Sequence, residues 1–427
     1  MDFSPWPAIV SPILHYLRKL LRQSRFGSHY DGLLGMDDQH REEETLQFAK
    51  QKLLDGKVEL SDNDISGSLA CLAIRFGLEF NEDPESRDVS CTQVERHMRL
   101  CLAATTGFER LVTCSGSEPI LAEAAYEILQ SSNSSPVHRL ANHANLYCVD
   151  RGRRGELVAA LIIMQARDAS LGTILPRRRW ITVTEFMQEL LPPSAFDTLI
   201  TSFPMFWRKG EDVTFGLTFE DYRMWFNHII KVEDSKVIRA EYIWKYITRG
   251  AMIMCKNNQY GVDIILPVCH MEGRISSQSI TAIYIQVKNA EGYNLNVDNT
   301  LFASMDPYKL GLFSNSPRPI IRMVFALGSS QAGVRIPSRE REPHHPHHYT
   351  SFDIWCAGLS TESFQQIGND IDSYRTLLDR SLQPNDVFEL KETKYQYLGD
   401  ETKVERGRLR KSMAPLVMFD GHDGIHQ

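Results

Sequence analysis

Hydrophobic and polar positions divide the chain into a mainly helical first part and a strand-bearing later part. Residues 90–150 read as helical. The clearest helix is Ile120–Gln130, with Ser117 as cap, Glu118 as early acid and Pro119 in the first turn. Ser131–Pro136 is a polar break, and Leu157–Met164 is an uninterrupted apolar run. Being apolar on nearly every side, that run predicts a helix buried against a sheet. Residues 176–235 are rich in Trp, Phe and Pro, show no clean period, and read as an insertion or small subdomain. A longer helix is expected over Val237–Cys255.

Strands then take over. Gly261–Val268, Ile280–Lys288, Pro319–Leu327 and Phe352–Ala357 are short, nearly continuous apolar runs, followed by a helix over Glu362–Arg380. Such runs mixed with helices indicate an α/β fold whose sheet is covered on both faces. The chain divides into a helical N-terminal region (1–140), the first helix of the core (141–175) and the insertion (176–235), then the core sheet (236–390) and a charged tail (391–427). Ser329–Tyr349 is a polar linker ending in a His-rich tract.

Composition narrows the classes. A chain of 427 residues suggests two or three domains, and 42% hydrophobic with 24% charged residues is that of a globular protein. The longest apolar run falls well short of the ~20 residues of a membrane-spanning helix, so no membrane partner is expected. The start, Met1-Asp2-Phe3-Ser4-Pro5-Trp6-Pro7, has no basic n-region and argues against a cleaved secretory signal; Ile13–Arg22 reads as a short basic amphipathic helix packed on the body. The 8 cysteines are dispersed without a C-x-x-C pair. That pattern suits a reducing compartment, hence an intracellular location in cytoplasm or nucleus. The net charge of −7 counts against non-specific nucleic-acid binding, yet Arg151, Arg153 and Arg154 cluster, as do Arg177–Arg179 and the basic run Lys403–Lys411. Binding a nucleic acid requires a positive groove, not a positive protein.

The chemistry concentrates in the strands. Along Ile280–Lys288 the side chains alternate, so Ile283, Ile285 and Val287 share one face and Ala282, Tyr284, Gln286 and Lys288 the other. Gln286 and Lys288 are expected to emerge together at the strand's end. Asp263 lies near the start of the other buried strand, where an ionised carboxylate needs a cation or hydrogen-bond donors. A carboxylate, a second oxygen and a lysine are what metal-assisted phosphodiester hydrolysis uses: the first two hold Mg²⁺ (or Mn²⁺) and the lysine orients water or offsets charge on the phosphate.

Gly261-Val262-Asp263-Ile264-Ile265 followed by Ile283-Tyr284-Ile285-Gln286-Val287-Lys288 resembles the restriction-endonuclease-like PD-(D/E)xK superfamily, in particular its Mrr-like variant with glutamine in place of the usual acid. The resemblance implies a mixed sheet flanked by helices, with Asp263 and Gln286 as metal ligands and Lys288 as the catalytic lysine of a DNA endonuclease. The neutral glutamine lowers the site's charge, so a degenerate nuclease fold that binds nucleic acid or protein is the competing class. The whole chain is also similar to an expanded family of fungal proteins, a similarity that carries no function with it.

The superfamily commonly adds a glutamate from the helix before the core strands, as catalytic residue and metal ligand. Glu241 is nearer in sequence, but Lys245 four residues on explains it as a surface pair. Glu156 opens the buried helix, after glycines suited to close backbone approach and arginines (Arg151, Arg153, Arg154) suited to phosphate. The Gly-x-x-x-Glu approach also resembles archaeal Holliday-junction resolvases, and Glu156 is the residue chosen. Other motifs are dismissed. His270-Met271-Glu272 lacks the P-C-x-x-C of a zinc deaminase, no P-loop occurs, and Ser115-Gly116-Ser117 is not a nucleophile elbow. His344, His345, His347 and His348 read as an exposed loop, and Lys403–Lys411 as a solvated tail or a phosphate-contacting segment.

Overall fold

The computed structural model describes residues 38–80, 87–104, 111–142, 151–172, 180–232, 234–256, 259–271, 276–313, 318–337 and 348–382. Its described residues up to Ser381 belong to one compact unit. Ile13–Arg22, Arg177–Arg179, His344–His347 and Lys403–Lys411 lie outside them, as do the side chains of Arg151, Arg153 and Arg154.

The first part is helical, as expected, but with an added hairpin. Helices α1 (Asp38–Leu53), α2 (Ile65–Phe76) and α3 (Arg87–Arg96) precede strands β1 (Leu100–Ala104) and β2 (Leu111–Cys114), which pair antiparallel. Helices α4 (Pro119–Gln130), α5 (Pro136–Asn142) and α6 (Arg151–Ser170) follow. Helix α2 is capped at both ends: the Asp64 carboxylate accepts from the Gly67 N–H at 2.9 Å, and Gly77 ends it in the left-handed conformation at φ 57°. In α4 the expected serine cap is not made. Glu118 holds the cap position without a side-chain bond, and the Ser117 hydroxyl is engaged with His228 at 2.8 Å.

Residues 176–235 were expected as an insertion or small subdomain, but the three strands among their described residues pair into the main sheet. The segment forms β3 (Ile181–Thr182), α7 (Val183–Leu190), α8 (Pro193–Thr201), α9 (Phe215–Thr218), β4 (Tyr222–Met224) and β5 (His228–Lys231). Phe186, Phe215, Phe219 and Phe226 join the principal core. The helix expected over Val237–Cys255 is shorter: α10 covers Ala240–Thr248, the chain turns at Gly250, and Ala251–Met254 is strand β6. Its four residues are all buried; all four pair with β5, and Ile253 and Met254 pair with β7 as well, so ladder bonds replace those of a helix.

Next come β7 (Ile264–His270), β8 (Ile280–Lys288), α11 (Asn299–Ser304), β9 (Ile320–Ala326), β10 (Gly333–Arg335), β11 (Ser351–Ala357) and α12 (Ile371–Leu382). The sheet runs β10-β11-β9-β8-β7-β4-β3, and β6 shares the same edge of β7 and carries β5. β8, β9 and β11 are parallel, while β7 runs antiparallel to both β6 and β8.

This is a mixed α/β sheet flanked by helices, with a helical N-terminal region. Its two faces feed separate cores. Ile283 and Ile285 pack with Leu266, Met323 and the all-buried run of α6 in one; Ala282 and Tyr284 pack with Ile265, Trp355, α10 and α11 in the other. Each such fully buried aliphatic side chain contributes about 1.5–3 kcal/mol.

One buried pair had no sequence signal. Arg322 on β9 and Asp353 on β11 meet fork to fork, Nε to Oδ1 at 2.7 Å and Nη2 to Oδ2 at 2.6 Å. The remaining nitrogen, Nη1, donates to the Phe302 carbonyl at 2.9 Å and the Tyr349 hydroxyl at 3.2 Å. Burial raises the Asp353 pKa and the guanidinium opposes it.

Candidate active site

Gly261 positions the acid. It turns with φ 80°, and a Cβ there would come within 2.2 Å of the Ser304 carbonyl oxygen, so only glycine fits. The next turn pins the Asp263 backbone on both sides: its N–H donates to the Ile285 carbonyl at 3.0 Å and its carbonyl accepts from Cys255 at 2.8 Å. β7 itself begins one residue later than the acid. The first pair of the ladder is Ile264↔Ile285, so Asp263 lies at its end, beside the segment Ile285–Val287. Asp263 Oδ2 accepts from the Val287 N–H at 2.7 Å. Burial raises the Asp263 pKa, and the Val287 N–H and the Lys288 ammonium only partly offset it. Asp263, Gln286 and Lys288 therefore share the junction of two adjacent strands.

Gln286 differs from expectation in one respect. It does not emerge with Lys288 but is 7% exposed, and its Oε1 is buried with no hydrogen-bond partner among the described residues. An unsatisfied buried amide oxygen costs about 1–3 kcal/mol. Burial on this face therefore runs past Tyr284 to Gln286 and lessens only at half-buried Lys288.

Glu156 lies in the second turn of α6, which starts at Arg151 rather than at the glutamate. It is half-buried, with one carboxylate oxygen shielded from solvent. Its charge reaches the buried Cys255 thiol: burial, then the Asp263 charge, then the Glu156 charge push that thiol well above its ordinary pKa, whereas Asp263 itself is shifted by burial, Val287 and Lys288. Glu241, by contrast, is exposed and turned to Arg239 at 3.6 Å. The expected pairing with Lys245 is not made, and that ammonium lies over the Tyr242 ring at 5.8 Å.

Two neighbours had escaped sequence reasoning. Cys255 looked like one more dispersed cysteine, and Asn289 follows the Gln-x-Lys triplet without a periodic signal of its own. Its amide sits on the backbone of Gly155, where an added Cβ would fall 1.8 Å from Nδ2 and 2.3 Å from Oδ1. This is the close backbone approach that the glycines before Glu156 suggested. Among the described residues no group of three or more His, Cys, Asp or Glu side chains is placed to hold a metal. The oxygens gathered here include amides.

A family match supplies the context. The family model of a domain of unknown function, DUF8736, matches residues 56–310. The chain belongs to this family. The matched span contains Glu156, Cys255, Asp263, Gln286, Lys288 and Asn289, and ends before β9. No curated protein and no solved structure matches the chain.

The dismissed motifs lie elsewhere. His270 closes β7 against the Tyr222 ring at 4.8 Å, in a cleft of about 550 Å³ that also carries Arg208, Glu211 and Arg318. It stands seven positions along the strand from Asp263, about 23 Å. Among the described residues no helix is long and apolar enough to cross a membrane.

Proposed function

We propose that the junction of β7 and β8 is the active site of a divalent-metal-dependent nuclease acting on DNA, related to the restriction-endonuclease-like superfamily and working in cytoplasm or nucleus. The observation that carries this reading is the meeting, at the end of the β7–β8 ladder, of a half-buried carboxylate, Asp263, which accepts from the Val287 N–H, with a buried amide oxygen, Gln286 Oε1, that has no partner among the described residues.

The donor set fits the ion. Asp263, Gln286 and Glu156 offer oxygens only, which suit Mg²⁺ or Mn²⁺. A cation would satisfy the Gln286 oxygen and hold Asp263 ionised against its burial. When bound, it supplies Lewis acidity that activates water and offsets charge on the phosphate. Asp263 and Gln286 hold position because their strands are locked from both sides. Lys288, half-buried beside Asp263, stabilises charge developing on the phosphate or orients the attacking water. Arg151, Arg153 and Arg154, before Glu156, would contact the phosphodiester backbone.

The test is plasmid cleavage by purified protein with Mg²⁺ or Mn²⁺, beside Asp263→Ala. Cleavage by the wild type and its loss in the variant is the expected result. Equal nicking by both would indicate a contaminant and refute the assignment. DNA binding without cleavage, unchanged in the variant, would move the chain to the non-catalytic class.

A further inference from the structure

Asn289 stands directly after Lys288, and its side-chain Oδ1 is buried with no hydrogen-bond partner among the described residues. Gln286 Oε1, three residues earlier, is in the same condition. Two amide oxygens shielded from solvent and without a protein donor among the described residues, three positions apart at one strand end, point to a shared ligand. Turning the Asn289 amide over would not help, since it would exchange a buried acceptor for a buried donor.

The seat of this amide is also specific. Gly155, the residue before Glu156, lies so close that a Cβ would meet Nδ2, Oδ1 and Cγ of Asn289 at 1.8, 2.3 and 2.4 Å. The contact therefore fastens the helix segment carrying Glu156 to the strand end carrying Gln286 and Lys288. Gly155 is inside α6, where alanine would ordinarily favour the helix, so the glycine serves the contact rather than the helix.

We propose that Asn289 is a further residue of this site, presenting its side-chain oxygen to the divalent cation held by Asp263, Gln286 and Glu156. The inference rests on the metal-dependent reading above. It makes the donor set two carboxylates and two neutral amides, a set of four oxygens with a formal charge of two negatives. Oxygen is the right chemistry for a hard cation, and amide oxygens are ordinary ligands of such ions.

The test is Mn²⁺ binding by titration calorimetry on the full chain, with unfolding temperature measured in parallel without metal. Wild type should bind, Asp263→Ala should not, and Asn289→Ala should bind at least about tenfold more weakly, as expected for a lost supporting ligand. Asn289→Asp keeps an oxygen and adds a charge, so it should match or exceed the wild type. Gly155→Ala should weaken binding as Asn289→Ala does, by displacing the amide. Binding by Asn289→Ala equal to wild type, with Asp263→Ala silent, would overturn the role of Asn289 and leave the metal site standing. Equal weakening by Asn289→Ala and Asn289→Asp would assign Asn289 to packing and also overturn the inference. Absence of Mn²⁺ binding by the wild type would overturn both readings.

Discussion

Acidification should unfold this protein partly through one histidine. His228 opens β5 and is 1% exposed. Its Nδ1 lies 2.8 Å from Asn227 Oδ1 and its Nε2 2.8 Å from Ser117 Oγ. Asn227 Nδ2 donates to the Pro119 carbonyl at 3.0 Å and to Glu123 at 2.9 Å, which turns its Oδ1 toward the ring. His228 thus carries its hydrogen on Nδ1, and its Nε2 accepts from Ser117. Burial first, then Arg249 and Arg75, push its pKa down to about 3, against a weak opposing effect of the Gly250 carbonyl.

An unfolded histidine titrates near ~6.5. Between that value and about 3 the unfolded chain binds a proton that the folded chain refuses. Stability is therefore complete above pH ~6.5 and falls as pH drops, by up to about 1.4 kcal/mol per unit. From pH 7 to 5 the loss is roughly 2 kcal/mol, a large part of the margin of a typical domain.

Urea unfolding at pH 5, 6, 7 and 8, for wild type and His228→Gln, isolates this contribution from that of the carboxylates. The glutamine can still accept from Ser117 but does not titrate. The two stability curves should converge as pH falls from 7 to 5, the wild type losing roughly 2 kcal/mol more than the variant. Parallel curves would refute the reasoning, because they would mean that His228 is protonated in the folded state as readily as in the unfolded chain.

The remaining predictions concern the sheet. Lys288→Ala should abolish cleavage while moving the unfolding temperature little, since a half-buried lysine at a strand end carries little packing; retained cleavage would remove Lys288 from catalysis. Arg322→Met should cost about 3–5 kcal/mol in urea unfolding, because it leaves Asp353 buried without its guanidinium. Pairing it with Asp353→Leu should recover much of that loss, and a single variant as stable as wild type would show that the pair is not held in a low-dielectric interior.

The sequence by itself determined three central strands, β8, β9 and β11, and the helix that covers them, whereas β7, expected over Gly261–Val268, runs Ile264–His270. Ile280–Lys288 was readable to the residue, and Pro319–Leu327 and Phe352–Ala357 to within one, because strands buried on both faces must be apolar at nearly every position. Leu157–Met164 was readable as a covering helix for the same reason, applied to all sides of a helix. The acid, the amide and the lysine were visible as residue types at the ends of those runs.

Only the tertiary structure decided the rest. Ala251–Met254 had looked helical because four apolar residues have no period that separates helix from strand, and its partners on β5 and β7 made the choice. The hairpin of β1 and β2 and the short strands β3 and β4 are too brief for alternation to register. Ser117 had the local chemistry of a helix cap, but its hydroxyl is engaged with a histidine 111 residues away. The Arg322–Asp353 pair and the meeting of Asn289 with Gly155 likewise join residues far apart in sequence. Side-chain period reports what each segment must bury, whereas strand register and the approach of distant backbone determine which polar groups meet there.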